Sequence, residues 1–480
     1  MNKLIDSLSK FVNTNKILCL TIVLGLQVFS TWFLNYSVYL DISRIIPIAR
    51  DASSAATCFI LVLISLIYYK KLVHFKISLA SLLAALFVSI GIGFIAIGLH
   101  FGNAGLIFAG CIFRGIAIAG ITIQIGLCLA TIDYKKCILT LSMGFAFGYV
   151  LRLVTLYVFT ITSSFLLLFI SLIILIITYL FLKDMQFSGH VQTIKELSIT
   201  QPETFVPFTH KIFITIFIFS ISFGFALAFG SIHGNPVQSA LVYIPLLVLL
   251  AFIPFLKFSK EDFLYQVSTM LVVAGYLSSI VYLNFDSQYL NISNGLLVVG
   301  SEVFELLVWL MLSRISYRNI QNAVLVIAWG RLANSVGILI GANLGHLINY
   351  FAQIRFASQL IAIILFVFIL LVVVIIKDLN FTEIVKGIKE TELVNPNELM
   401  LQNFDNKVAL ATEQYQLTPR ESEVYSLMVR GRNAGYINEE LGISINTVKT
   451  HVSNIYKKLE VHSQQKLIDH FEELNLNSVA

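Results

Sequence analysis

The chain has 480 residues, of which 57% are hydrophobic and only 12% charged, against roughly 45–50% and 25% in ordinary soluble domains. That balance excludes a wholly soluble protein and calls for a lipid bilayer as the main solvent. The net charge of +5 invites a nucleic-acid reading, but most of it lies in short loops between apolar runs.

Apolar runs of about twenty residues, the length that crosses a hydrocarbon core, predict twelve spans, at 17–40, 53–69, 77–99, 104–131, 137–158, 163–182, 212–232, 237–256, 264–285, 290–312, 320–349 and 356–376. The first is too long, and lacks a cleavage site, to read as a removable signal peptide. Five cysteines, Cys19, Cys58, Cys111, Cys128 and Cys137, fall in or beside these runs without C-x-x-C spacing or a nearby histidine pair. They read as small core residues, and no metal or cofactor site is expected.

With the N-terminus in the cytoplasm, the inner segments hold fifteen lysines and arginines, and the outer loops hold only three, Arg44, Arg50 and Arg355. This positive-inside bias, with an even number of spans, returns the C-terminus to the cytoplasm. The expected location is a bacterial inner membrane, multi-pass, with both termini cytoplasmic.

The longest internal loop, Lys183 to Lys211, divides the spans into six and six. This layout resembles the major facilitator superfamily, whose paired six-helix halves enclose a site near the bilayer midplane. The loop between the second and third spans reads YYKKLVHFK and lacks the glycine and the acid usual there in active facilitators, which argues against proton-coupled or exchange transport.

Charges inside spans are costly and read as functional by default. They are Arg114, Arg152, Glu302, Glu305 and Arg331. Two roles stay open for them: contact with a small-molecule ligand, which an excess of arginine would make anionic, or buried ion pairs that fix packing. Glycines in Gly144-x-x-x-Gly148 and Gly337-x-x-x-Gly341-x-x-x-Gly345 allow close helix approach. Residues 377–416 form a polar connector in which NELMLQNFDNKVALATEQY looks helical and could carry movement or a dimer contact to the final stretch.

The final stretch, 417–480, changes character. Thr418 with Glu421 three positions on is a capping box, with Pro419 at the first helical position. A helix from Pro419 to near Gly431, a short one from Ala434 to Leu441 ending at Gly442, and a third N-capped by Ser444 make a helix-turn-helix. Along the third helix Val448, Val452, Ile455 and Leu459 form a buried stripe. The opposite stripe, Asn446, Thr450, Ser453 and Lys457 with Lys449 beside it, is polar and free of acid until Glu460, so phosphates would meet it first.

These residues resemble the DNA-binding domain of LuxR/NarL-type response regulators, in the pattern L-T-x-R-E, G, I-x-x-x-L-x-I-S and T-V-K-x-H-x-x-N-I-x-x-K-L. Leu417, Thr418, Arg420, Glu421, Gly431, Ile437, Leu441, Ile443, Ser444, Thr447, Val448, Lys449, His451, Asn454, Ile455, Lys458 and Leu459 match it. Asn438, Ala434 and Gln464 depart from the family's usual residues. The resemblance implies that the third helix enters the major groove of double-stranded DNA. Lys449, Thr450 and Ser453 would then face base edges, with Thr447, His451 and Lys458 near phosphates. Ser444, Asn446, Asn454 and Lys457 complete the expected DNA-binding set.

The fold expected is all-α: a twelve-helix transmembrane bundle of two halves, 1–182 and 212–376, followed by a four-helix DNA-binding domain. No catalytic serine, cysteine or histidine set is present, so an enzyme is not expected. The function expected is a one-component transcription regulator that senses a small molecule through its membrane domain and binds promoter DNA as a homodimer. A facilitator-type transporter with a regulatory helix-turn-helix is the alternative.

Overall fold

The computed structural model describes residues 8, 10–70, 76–158, 164–183, 210–229, 246, 249–250, 252–255, 260–282, 290–318, 320–352, 356–376, 379, 381–386, 404 and 407–473. All regular structure among them is helical. The chain divides into two compact units, Met1–Ile388 and Lys389–Ala480.

The first unit contains eleven described helices long and apolar enough to cross a membrane. They are α1 (Lys16–Ile45), with a π-helical turn at Leu34–Val38, α2 (Ala49–Lys70), α3 (Ile77–Phe101), α4 (Ala104–Leu129), α5 (Tyr134–Val158), α6 (Ser164–Leu182), α7 (Lys211–Ala228), α8 (Lys260–Tyr282), α9 (Leu290–Arg318), α10 (Ala323–Ala352) and α11 (Ala357–Ile376). A short helix, α12 (Phe381–Lys386), comes next. Most of the expected eighth span, 237–256, lies outside the described residues, as do most of the loop 183–211, part of the loop between α2 and α3, and residues 387–403.

The packing repeats. In the first half α1 packs on α5, α3 on α4 and α3 on α6; in the second α7 packs on α10, α8 on α9 and α8 on α11. Counting the expected eighth span, these are the same three pairings shifted by six. The glycine ridges explain the closest of them: a Cβ at Gly341 would collide with the Ile221 carbonyl of α7, and one at Gly144 would meet Leu24 of α1. Gly102, at φ +62°, stops α3 in the left-handed conformation, and Asn103 caps α4 by accepting from the Leu106 N–H, so these two helices pack as a tight hairpin.

The outer surface is apolar, with Phe59, Leu82, Phe169, Ile363 and Phe366 each more than half exposed. In water such a surface would be a liability; around an all-helical bundle it is the lipid-facing wall. The protein is a multi-pass membrane protein.

The halves are tied at both ends. At one end the Arg314 guanidinium donates to the carbonyls of Leu129 (3.0 Å) and Ile132 (2.5 Å), and the Tyr134 hydroxyl donates to Glu261 at 2.6 Å. At the other, Arg50 donates to the Leu227 carbonyl at 3.2 Å, and His346 lies 3.6 Å from Asp51.

The second unit holds α13 (Pro419–Val429), α14 (Ala434–Leu441), α15 (Ile445–Lys458) and α16 (Gln464–Glu473). Its own core includes Val424, Tyr425, Met428, Ile437, Val448, Ile455 and Leu467. Residues 407–414 of the expected relay segment are helical and bury Ala411 in that core, so this part of the connector belongs to the second unit.

Candidate nucleic-acid interface and membrane cavity

In the second unit, local signals set each helix start. The Thr418 hydroxyl accepts from the Glu421 N–H and the Glu421 carboxylate accepts from the Thr418 N–H at 2.9 Å, which completes the capping box. Gly442, at φ +60°, ends α14, and the Ser444 hydroxyl caps α15 by accepting from the Thr447 N–H at 3.1 Å. The turn between α14 and α15 is thereby closed at both sides.

Helix α15 buries Val448, Ile455 and, just past its end, Leu459. Ser444, Asn446, Thr447, Lys449, Thr450, Ser453, Lys457 and Lys458 are exposed, and His451 and Asn454 are half-buried. Lys458 differs from the others in being committed within the domain: its ammonium donates to the Glu421 carboxylate at 2.7 Å and to the Gln416 carbonyl at 2.8 Å. It ties α15 back to α13. Two residues that depart from the family's usual pattern also have partners. The Gln464 amide donates to the carbonyls of Met428 and Arg432, both at 2.9 Å, and the Asn438 amide donates to the Ile443 carbonyl.

Glu421 is only 4% exposed. Burial alone would raise its carboxyl, but the Lys458 ammonium and the Thr418 N–H and hydroxyl outweigh that and hold it down at about 2. In the unfolded chain a glutamate titrates near ~4.3. The contribution is therefore present above the unfolded value and is lost as pH falls through about 2. Circular dichroism of residues 389–480 expressed alone is expected to show acid destabilisation across that window. Glu421→Ala should flatten it and cost about 2 kcal/mol at neutral pH, the sum of a cap and a charged hydrogen bond. An unchanged acid profile in the variant would remove Glu421 as the strut.

In the first unit, two adjoining cavities lie among the spans. One, of about 130 Å³, is lined by Gln27, Thr31, Trp32, Asn35, Tyr36, Ser220, Glu302, Glu305, Trp309, Arg331 and Asn334 among others. The second, of about 160 Å³, shares Gln27, Thr31, Asn35, Arg331 and Asn334 with it and adds Tyr39, Arg50, Ser53, Thr57 and Arg114. Either far exceeds the ~10–15 Å³ that a single water needs.

Of the intramembrane charges expected to act together, the structure pairs Arg331 with Glu305 at 2.5 Å. Asn334 donates to the other Glu305 oxygen at 3.1 Å and to Ser220 at 2.9 Å. Arg331 also lies 4.6 Å above the Trp309 ring. Arg114 and Glu302 line different cavities. Arg152 lines neither; its guanidinium lies 5.0 Å from the rings of Trp32 and of Tyr36, which line the first.

Sequence reasoning missed Arg50, counted there as a loop charge although it is buried, and the polar wall of α1. The signal for that wall was present: Gln27, Thr31, Asn35 and Tyr39 recur every four residues in an otherwise apolar run, which puts them on one helix face.

Residues 415–471 match the profile of the family described as bacterial regulatory proteins, luxR family. Among curated proteins, the response regulator protein VraR of Staphylococcus saprophyticus subsp. saprophyticus is 34% identical over 110 residues, 21% of this chain and 50% of that protein. The VraR proteins of Staphylococcus epidermidis and Staphylococcus aureus show the same identity and coverage. The chain thus spans about half the length of the curated relatives it matches. Among solved structures, the E. coli fucose:proton symporter FucP is similar with a TM-score of 0.47 and 10% identity, over 74% of this chain and 97% of that one. A POT family transporter in complex with 5-aminolevulinic acid gives 0.46 and 15%, over 76% and 96%. The two-half fold described above rests on the repeated helix pairings, not on these likenesses. The C-terminal residues 415–471 form a LuxR-type helix-turn-helix regulator domain on a multi-pass membrane chain.

Proposed function

We propose that this protein is a one-component transcription regulator of a bacterial inner membrane, with a transmembrane unit that senses a small molecule and a C-terminal unit that binds promoter DNA. The observation that carries this reading is one chain holding both a LuxR-type domain, with an exposed basic helix, and a charged cavity among its spans. Residues 387–403, between α12 and the described residues of the second unit, are too few to hold a receiver domain, which supports reading the signal in the membrane unit. Both termini are cytoplasmic, as the positive-inside bias supports, and two chains meet on an inverted DNA site. The name of the matched relatives, response regulators, agrees with this reading over the stretch they share.

Helix α9 is suited to carry the signal. It lines the cavity with Glu302, Glu305 and Trp309, and near its C-terminus Arg318 donates to the carbonyls of Ile384 (2.6 Å) and Val385 (3.4 Å). Those carbonyls belong to the last turn of α12, where helix carbonyls lack partners of their own. The chain runs on from α12 to the DNA-binding unit. A ligand that favours one position of α9 would therefore bias α12 and, through the connector, the DNA-binding unit.

Chromatin immunoprecipitation of the full-length protein tests the reading, with discrete promoter peaks expected. In Arg318→Ala the peaks should persist but stop changing between growth media that change them in the wild type. Peaks that vary as before would remove this route. The central cavity also favours a second reading, a transporter with a regulatory terminal domain; substrate uptake into proteoliposomes without promoter occupancy would establish it.

A further inference from the structure

Once the internal pairs are set aside, the charges lining the two cavities leave a remainder of one carboxylate and one guanidinium. Arg331 is matched by Glu305. Arg50 is matched by Asp51 at 3.8 Å and by the Leu227 carbonyl. Glu302 lines the first cavity, and among the described residues neither a hydrogen bond nor an ion pair falls on it. Arg114 lines the second, is 8% exposed, and likewise makes neither a hydrogen bond nor an ion pair among the described residues. Each charge lies within a membrane span, where an uncompensated charge is costly.

We propose that the ligand of this cavity is a small amino-acid-like zwitterion, its cationic group held by Glu302 and its anionic group by Arg114. This deepens the sensor reading and rests on it, because it assumes that the cavity takes a ligand. The opposite charges sit in different lobes, so one molecule must reach both. The wall common to the lobes suits a short stem: Phe223, Leu227 and Ile338 give it apolar contact, while Gln27, Thr31 and Asn35 can bond polar groups along its length. A simple anion would satisfy Arg114 and leave Glu302 exposed to its charge. A simple amine would do the reverse. An ω-amino acid or a dipeptide, with a short stem between its charged ends, fulfils both demands in one binding event.

The test uses the purified full-length protein in lipid nanodiscs, with its thermal midpoint followed against pooled ω-amino acids and pooled dipeptides at millimolar concentration. For each pool that acts, the matched decarboxylated amines and N-acetylated acids are run beside it. One zwitterion is expected to raise the midpoint by about 4 °C or more, its single-charge analogues much less. Glu302→Gln and Arg114→Gln should each abolish the rise, and Arg114→Lys should keep part of it, which guards against misfolding of the Gln variant. An acid that stabilises wild type and Glu302→Gln equally, an amine that does so with Arg114→Gln, or no shift from any pool would overturn the zwitterion assignment. Promoter occupancy, read separately in cells, tells the two readings apart. A singly charged effector that changes occupancy keeps the sensor and sinks the zwitterion; a zwitterion that binds yet leaves occupancy unchanged does the opposite.

Discussion

Glu305→Ala is expected to destabilise the membrane unit by about 3–5 kcal/mol, whereas Glu302→Gln, three residues earlier on the same helix, removes an unpaired charge and should leave the ligand-free unit as stable or more so. The two carboxylates differ in what they hold. Glu305 accepts from Arg331 with one oxygen and from Asn334 with the other, and Asn334 is itself tied to Ser220 of α7. Removing Glu305 leaves the Arg331 guanidinium, 12% exposed, with the Asn334 carbonyl oxygen at 3.2 Å and the Trp309 ring. An unpaired buried cation costs far more than the net worth of the pair it came from. The double variant Glu305→Ala, Arg331→Ala should therefore lose less than the two single variants added together. Thermal unfolding in detergent, followed by tryptophan fluorescence, reads this directly. A Glu305→Ala midpoint equal to the wild type would mean that the network is incidental.

The membrane fold was legible because a span needs only length and hydrophobicity. The expected fourth span, 104–131, is observed at Ala104–Leu129, and the expected eleventh, 320–349, at Ala323–Ala352. The first helix outruns its expectation of 17–40 and continues to Ile45, so Arg44, counted among the outer-loop charges, lies in its last turns, 3.4 Å from Asp41. The helix-turn-helix was legible for a different reason: Thr418, Gly442 and Ser444 act through bonds within a few residues, and such bonds show in the sequence. Side-chain partners distant in the chain do not. Lys458 was expected near phosphates, and nothing in the sequence showed that its ammonium reaches Glu421, thirty-seven residues back. Arg50 was counted among outer loop charges, although the carbonyl it binds belongs to Leu227. Glu302 and Glu305 share a helix face, and only tertiary structure separates the one that is paired from the one that is not.

On the nucleic-acid side, the double substitution Lys449→Ala, Thr450→Ala is expected to weaken operator binding by a factor of roughly 10²–10³, with the unit's folding unchanged. Both side chains are exposed on α15, on the face away from Val448 and Ile455, so their loss touches no core packing. The Thr450 hydroxyl is bonded to the Asn446 carbonyl at 3.0 Å, a local bond whose removal an exposed helix tolerates. Lysine can donate to the guanine acceptors in the major groove, and each good base contact is worth about 1–3 kcal/mol. Lys457→Ala should behave differently. If it meets phosphates, it weakens binding to all sequences alike and lowers the salt slope by about one. Lys458→Ala is different again, because its ammonium is engaged by Glu421 and Gln416; it should lower the stability of the unit before it alters any contact with DNA. Chromatin immunoprecipitation of the full-length chain, with membrane insertion checked in the same cells, separates these outcomes. Peaks lost in the double variant with insertion intact would place sequence reading on α15. Peaks unaltered would move the reading surface elsewhere on the unit.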